Sequence, residues 1–257
     1  MDIKELKLSN QGLKQNHPWE YARSTIVNKI LKKYLDKNIK TDHVLDVGCG
    51  DLFYMSRFFD KYPKYKYIAV DSAFDEKLMS ELSNHHKDVL LYKDIKDVNV
   101  GNKKISVVFL LDVLEHISED VDFLMELANR EYIDENTYFM ITVPAFNYLF
   151  CEHDVWLGHY RRYSSRQLVN TADKAGFDVV EKGYFFTALL IARFFQKLLH
   201  PLIKKKGQEG IGAWTGNRFT STLYEKILLL DFYFSMFLKK MGINIAGLST
   251  YIICKKK

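Results

Sequence analysis

The stretch Val44-Leu45-Asp46-Val47-Gly48-Cys49-Gly50 constrains the fold of this chain more than any other segment. A β-branched apolar run that breaks into an acid and two close glycines reads as a strand ending in a turn that can approach a ligand. Two further runs repeat the pattern, Ile68-Ala69-Val70-Asp71 and Val107-Val108-Phe109-Leu110-Leu111-Asp112. Strands with acidic C-terminal ends, separated by helical lengths, describe an open, doubly wound parallel α/β sheet that binds its ligand along one edge. The ligand expected there is a nucleoside cofactor.

The pattern predicts strands near 43–47, 66–70, 88–92, 105–111, 137–143 and 177–183, with helices between them, notably 119–131 and 165–175. Ser164 and Gln167 form a capping box, and Gly176 supplies the stop before Phe177. Ahead of the first strand, Asn16-His17-Pro18 starts a helix whose Trp19, Ala22, Ile26, Ile30 and Leu31 recur at helical spacing. Tyr184–Ile203 and Ser221–Met241 read as two amphipathic helices. Charged residues such as Arg193, Lys197, Glu225 and Asp231 interrupt them, so neither is a good membrane span.

Residues 40–183 resemble class I S-adenosylmethionine-dependent methyltransferases, particularly the broad group with a segment like Leu111-Asp112-Val113-Leu114-Glu115-His116-Ile117. The resemblance implies a mostly parallel, seven-stranded Rossmann-like sheet with helices on both faces. Its last strand would be Ser249–Cys254, which makes 184–247 a helical insertion. One domain is expected over 1–257, with a helical lid (1–40), a core (41–183), the basic, aromatic insertion (184–247) and the last strand and tail (248–257). By the same resemblance, Asp46 and the Gly48-Cys49-Gly50 backbone hold the methionine part of the cofactor, and Asp71 accepts both ribose hydroxyls. Asp94 with Ile95 reads the adenine, and Leu111 and Asp112 pass the methionyl moiety. His17-Pro18-Trp19-Glu20 and Arg23 also resemble the group, with Trp19 and Arg23 folding over the cofactor. The chain departs from the group at Leu52, where a third small residue is usual. The competing nicotinamide oxidoreductase reading needs Gly-x-Gly-x-x-Gly, and Phe53 stands at the third position.

Methyl transfer from a sulfonium is a direct displacement, so the enzyme aligns the acceptor, excludes water and removes a proton where the acceptor cannot shed one. His116 and His159 are the candidate catalytic bases, while His153, Tyr160, Arg161 and Arg162 are candidates for gripping the acceptor. The Gly158-His159-Tyr160-Arg161-Arg162-Tyr163 run resembles a signature of the same group. Asp112-x-x-Glu115-His116 also imitates a Glu-x-x-Glu-His metal motif of some relatives. Most proteins with this short signature need no metal, and none is expected.

The net charge of +5 conceals an asymmetry. Residues 184–257 hold 12 Lys and Arg against 3 Asp and Glu, whereas the rest of the chain is slightly acidic. A basic segment rich in Phe and Leu suits the wall of an apolar acceptor pocket or contact with an anionic membrane surface. The turn typical of base-amino methylators is absent after the fourth strand, which disfavours nucleic acid. The expectation is therefore methyl transfer, to oxygen, on a small or lipid-linked acceptor, by a cytoplasmic protein that touches the inner face of the membrane. A non-catalytic cofactor-binding scaffold or activator subunit is the other class. Cys49, Cys151 and Cys254 are far apart and odd in number, against a disulfide framework, and Met1-Asp2-Ile3-Lys4-Glu5 lacks a secretory pattern.

Overall fold

The computed structural model describes residues 17–38, 43–199 and 216–257. Asn16, the Lys204-Lys205-Lys206 run, Trp214 and the end of the first expected insertion helix lie outside them. The strands are β1 (His43–Val47), β2 (Lys66–Val70), β3 (Val89–Tyr92), β4 (Ile105–Leu111), β5 (Tyr138–Pro144), β6 (Phe177–Phe185) and β7 (Ser249–Lys256). They form one sheet in the order β3-β2-β1-β4-β5-β7-β6. The first five pair in parallel, and β7 runs antiparallel to both its neighbours. The chain winds outward in one direction from β1 and in the other from β4, so the topological switch that opens a ligand crevice lies between these two strands. The helices are α1 (Pro18–Asn38), α2 (Phe53–Lys61), α3 (Glu76–His85), α4 (Asp120–Ala128), α5 (Glu152–Leu157), α6 (Ser165–Lys174), α7 (Thr187–Leu199) and α8 (Arg218–Lys240).

Strand alternation divides the buried side chains between two cores. Val44, Tyr67, Phe109, Met140 and Tyr251 face α1, α2, α3 and α8, while Leu45, Ile68, Leu110, Ile141 and Ile252 face α4 and α6. Burial on both faces explains why β1, β4 and β5 read as continuous apolar runs. The expected capping box is present, with Ser164 accepting from the Gln167 N–H and Gln167 accepting from the Ser164 N–H.

Two expectations need correction. The first insertion helix begins at Thr187 rather than Tyr184, because Tyr184 and Phe185 extend β6 and pair with Thr250 and Ser249. The helix expected over 119–131 ends at Ala128, where tight turns through Arg130 and Ile133 lead toward β5. The second insertion helix, α8, buries Leu228 and Phe232 on the α1 side of the sheet, and α7 starts from a Phe186 held at φ 68°.

Gly247 closes the insertion onto the sheet. A Cβ there would lie 2.2 Å from the carbonyl oxygen of Phe185, while the next residue, Leu248, donates its N–H to Phe186 and accepts from Ala145. Gly247→Ala must displace backbone, and it is expected to destabilise the chain by about 1–3 kcal/mol in urea unfolding. An unchanged midpoint would contradict this account.

Candidate active site

The glycine turn after β1 is locked to the end of β2. The N–H groups of Gly48 and Cys49 both reach the Val70 carbonyl, at 2.8 and 3.2 Å, and the Gly50 N–H donates to Asp71 at 2.9 Å. Gly48 and Gly50 have φ values of 71° and 59°, a region that costs glycine nothing. Gly48 is also close-packed, since a Cβ would meet the Val113 side chain at 2.6 Å. Leu52, where the sequence departs from its resemblance, sits buried at φ 62° as the residue that opens α2. The left-handed backbone is thus kept there despite the side chain. The three turn N–H groups are engaged within the protein, and the two glycines leave the turn open to close approach.

Asp71 uses its other oxygen to accept the Ala73 N–H at 2.9 Å. Asp46 is almost fully buried beneath the turn. Burial pushes its carboxyl up to about 8, with Asp71 adding to the rise and Arg23 opposing it. Asp94 caps the short turn 95–97 through the Lys96 N–H and is exposed, with Ile95 packed partly into the core.

At the end of β4, Leu111 is buried and Asp112 adopts φ 60°, a strained conformation for a residue other than glycine. Its backbone N–H bonds the Thr142 carbonyl at 2.9 Å, and Thr142 Oγ1 donates to one carboxylate oxygen at 2.9 Å. Arg23 of α1 pairs with the other oxygen. The Arg23 guanidinium also lies 4.4 Å from the Trp19 ring centroid, and Trp19 meets Phe186 at 6.0 Å. Trp19, Arg23, Asp112 and Thr142 are therefore connected across α1, β4 and β5.

The second cluster is built by the segment after β5. Asp154, in α5, is fully buried and accepts from His159 Nδ1 and Arg162 Nε, both at 2.9 Å, and from the Cys151 N–H at 2.9 Å. Burial alone would raise its carboxyl, but the hydrogen bonds from His159 and Arg162 outweigh that and hold it well below the usual range. Gly158, at φ 84°, turns the chain so that the His159 N–H returns to the Asp154 carbonyl. The same segment is stitched to the loop after β4. The Tyr160 N–H meets the Glu115 carbonyl at 2.7 Å, Tyr163 reaches Leu114 and Asp120, and Arg161 reaches Ser118 and Asp120.

These links bring His116 and His159 edge to face, with ring centroids 4.6 Å apart. Glu115, 1% exposed, stands beside them. Its carboxyl is pushed well above the ordinary range by burial, with Asp112 adding to the rise. One polar atom from each of Glu115, His116 and His159 lies within 4.8 Å of the others. His153 is half-buried against Trp156, its ring pushed down mainly by burial. Tyr160 is exposed.

Arg162 is 7% exposed, and its Nε pairs with Asp154, so it helps to build the cluster. Sequence reasoning left Thr142 out and gave Glu115 and Asp154, candidates by their position after the fourth and fifth strands, no role of their own. The five-residue spacing of Asp154 and His159 across Gly158 was the available signal for their pairing.

A family model described as a methyltransferase domain matches residues 19–182. A tRNA U34 carboxymethyltransferase from Nautilia profundicola is 31% identical over 107 residues, covering 41% of this chain and 35% of that one. Its counterpart from Aliarcobacter butzleri is 27% identical over 172 residues, covering 62% and 54%. The chain thus spans about a third to a half of the length of these curated relatives. A SAM dependent methyltransferase structure from Archaeoglobus fulgidus superimposes with a TM-score of 0.52 at 16% identity, over 92% of this chain and 97% of that one, a likeness of fold alone.

The raised Asp46 carboxyl has a direct consequence for stability. An ordinary aspartate titrates near 3.9, so between about pH 4 and about 8 the ligand-free folded chain holds a proton that the unfolded chain has released. The group stabilises the fold fully below that window, and the contribution is lost as pH rises through it. Asp46→Asn stays neutral throughout. In urea unfolding, wild type should therefore lose stability relative to Asp46→Asn as pH is raised from about 5 to about 8. A difference independent of pH would refute the assignment.

Proposed function

We propose that this chain, which belongs to the methyltransferase-domain family of S-adenosylmethionine-dependent enzymes, transfers a methyl group from that cofactor to a hydroxyl oxygen of an acceptor held against His116 and His159. The observation that carries the reading is the meeting, at one sheet edge, of the glycine turn locked on Asp71 with a histidine pair oriented by Asp154. The crevice outside strand ends at a topological switch is where such sheets bind ligands.

In this reading the ribose lies on Asp71, whose two oxygens are fixed by backbone donors and keep lone pairs for the sugar hydroxyls. Asp94 and Ile95 flank the adenine. Gly48, Cys49 and Gly50 let the methionine part approach Asp46 and Leu111, with Asp112 opposite its amino group and Arg23, on Trp19, opposite its carboxylate. Arg23 and Asp112 neutralise each other until the zwitterionic end of the cofactor arrives to satisfy both. When bound, the cofactor would supply a methyl group to the acceptor oxygen, its carbon–sulfur bond breaking toward sulfur to leave S-adenosylhomocysteine, and His116 and His159 would stand where the hydroxyl proton leaves.

The surroundings favour an amphipathic acceptor, small or lipid-linked. Tyr148, Trp156 and Tyr160 of the segment after β5 expose aromatic surface, while Arg161 and Arg162 are both neutralised by carboxylates rather than held ready for phosphates. Among the described residues no helix is long and apolar enough to cross a membrane. Even so, α7 and α8 turn Phe194, Leu198, Leu230 and Phe237 outward, a surface suited to the face of a bilayer. The names of the two curated relatives favour a second reading, with tRNA as acceptor, and weigh against the sequence expectation that disfavoured nucleic acid.

Calorimetric titration with S-adenosylmethionine should give saturable binding that Asp71→Ala weakens by about tenfold or more, and no binding to folded wild type would sink the reading. With labelled cofactor, His159→Ala should lower turnover by about 10²–10⁴-fold while retaining cofactor binding. Supplying total tRNA and a lipid extract separately decides between the acceptors. Flotation with anionic vesicles tests the outward face, and a chain that stays with the soluble fraction removes the membrane from the proposal.

A further inference from the structure

We infer that Glu115, His116 and His159 form a site for one divalent transition-metal cation, held beside the cofactor crevice. Three features of the cluster point to this ligand. The donor set of one carboxylate and two imidazoles is the composition that Zn²⁺, Co²⁺, Mn²⁺ or Fe²⁺ accepts with positions left open for water or substrate. The polar atoms all lie within 4.8 Å of one another. Bonds of about 2.1 Å to a central ion require only that they draw somewhat closer.

The second feature is Glu115 Oε2, which is buried and has no hydrogen-bond partner among the described residues. A buried carboxylate oxygen left unmatched costs free energy, and a cation beside it removes that cost. The third is the treatment of His159. Its Nδ1 is held by Asp154 at 2.9 Å, which leaves Nε2 as the nitrogen available to an ion and fixes the plane of the ring. A carboxylate behind a histidine is the arrangement that orients metal-binding imidazoles and raises their basicity.

The ligand set differs from the one the sequence motif suggests. Asp112, the first position of Asp112-x-x-Glu115-His116, has both carboxylate oxygens engaged, by Arg23 and Thr142, and is not among the ligands. His159 takes its place from a segment more than forty residues away, carried there by the Tyr160–Glu115 backbone bond. The inference deepens the proposed function and rests on it for the role of the ion. With the acceptor oxygen in an open position, the cation would polarise the hydroxyl so that its proton leaves at neutral pH, and the two histidines would act as ligands.

Cobalt(II) is the probe for the test. The full chain, treated with chelator and dialysed, is titrated with Co²⁺ with and without S-adenosylmethionine and followed by visible absorption and by proton NMR. The expected result is one equivalent bound, visible d–d bands, paramagnetically shifted imidazole signals from two histidines, and displacement by Zn²⁺. Glu115→Gln, which keeps the side-chain shape, and His159→Ala should each weaken binding by about tenfold or more. Circular dichroism confirms that each variant is folded. Absence of saturable binding in wild type, or binding without two shifted imidazoles, overturns the site, as does equal affinity in the folded variants. A wild-type chain that binds Co²⁺ but not S-adenosylmethionine would instead refute the proposed reaction and leave the metal site standing.

Discussion

Asp154 is a fully buried anion, and such a group persists only where donors surround it, because an unpaired charge in the interior costs several kcal/mol. His159, Arg162 and Cys151 supply those donors. The consequences run in both directions along the chain. Arg162, itself buried, has its charge balanced there, and its neighbours Arg161 and Tyr163 then fall onto Asp120 and the loop after β4. His159 is turned toward His116. Breaking a buried pair of this kind costs about 3–5 kcal/mol, so the carboxylate holds in shape the edge proposed to meet the acceptor.

The cofactor edge rests on a different kind of constraint. Here the backbone is strained or left-handed at Gly48, Gly50, Leu52 and Asp112, all within the turns that follow β1 and β4. Strain of this kind survives where surrounding contacts over-determine it. Val70 and Asp71 hold the first turn, and Thr142 and Arg23 hold the second. The two edges meet at the β4 loop, where Asp112 belongs to one and Glu115 and His116 to the other. Two residues of chain, Val113 and Leu114, thus separate the group proposed to hold the methionine end from those proposed to activate the acceptor.

The insertion between β6 and β7 does not disturb this arrangement, because its two helices attach to faces the sheet already presents. The α8 helix packs Leu228 and Phe232 into the core shared with α1. The α7 helix runs near the 147–151 loop, with Lys197 on the Tyr148 carbonyl and Arg193 near the Cys151 sulfur. That contact places an aromatic part of the chain beside the segment after β5 that is proposed to meet the acceptor.

The sheet was legible in the sequence because its signals are local. Strands of five to seven residues that contain Asp46 or run into Asp71 or Asp112 are marked within a few positions by their apolar residues, and the capping box at Ser164 marks a helix start without reference to anything distant. The pairing of Arg162 with Asp154 and the burial of Glu115 were not legible, because they depend on partners and packing that only the folded chain creates. The sequence by itself determined a doubly wound sheet with an acidic, glycine-turn edge for S-adenosylmethionine. Only the tertiary structure decided which charges face the ligand and which are spent on one another, since whether an ion pair closes inside the fold depends on distances between segments that periodicity and spacing do not encode.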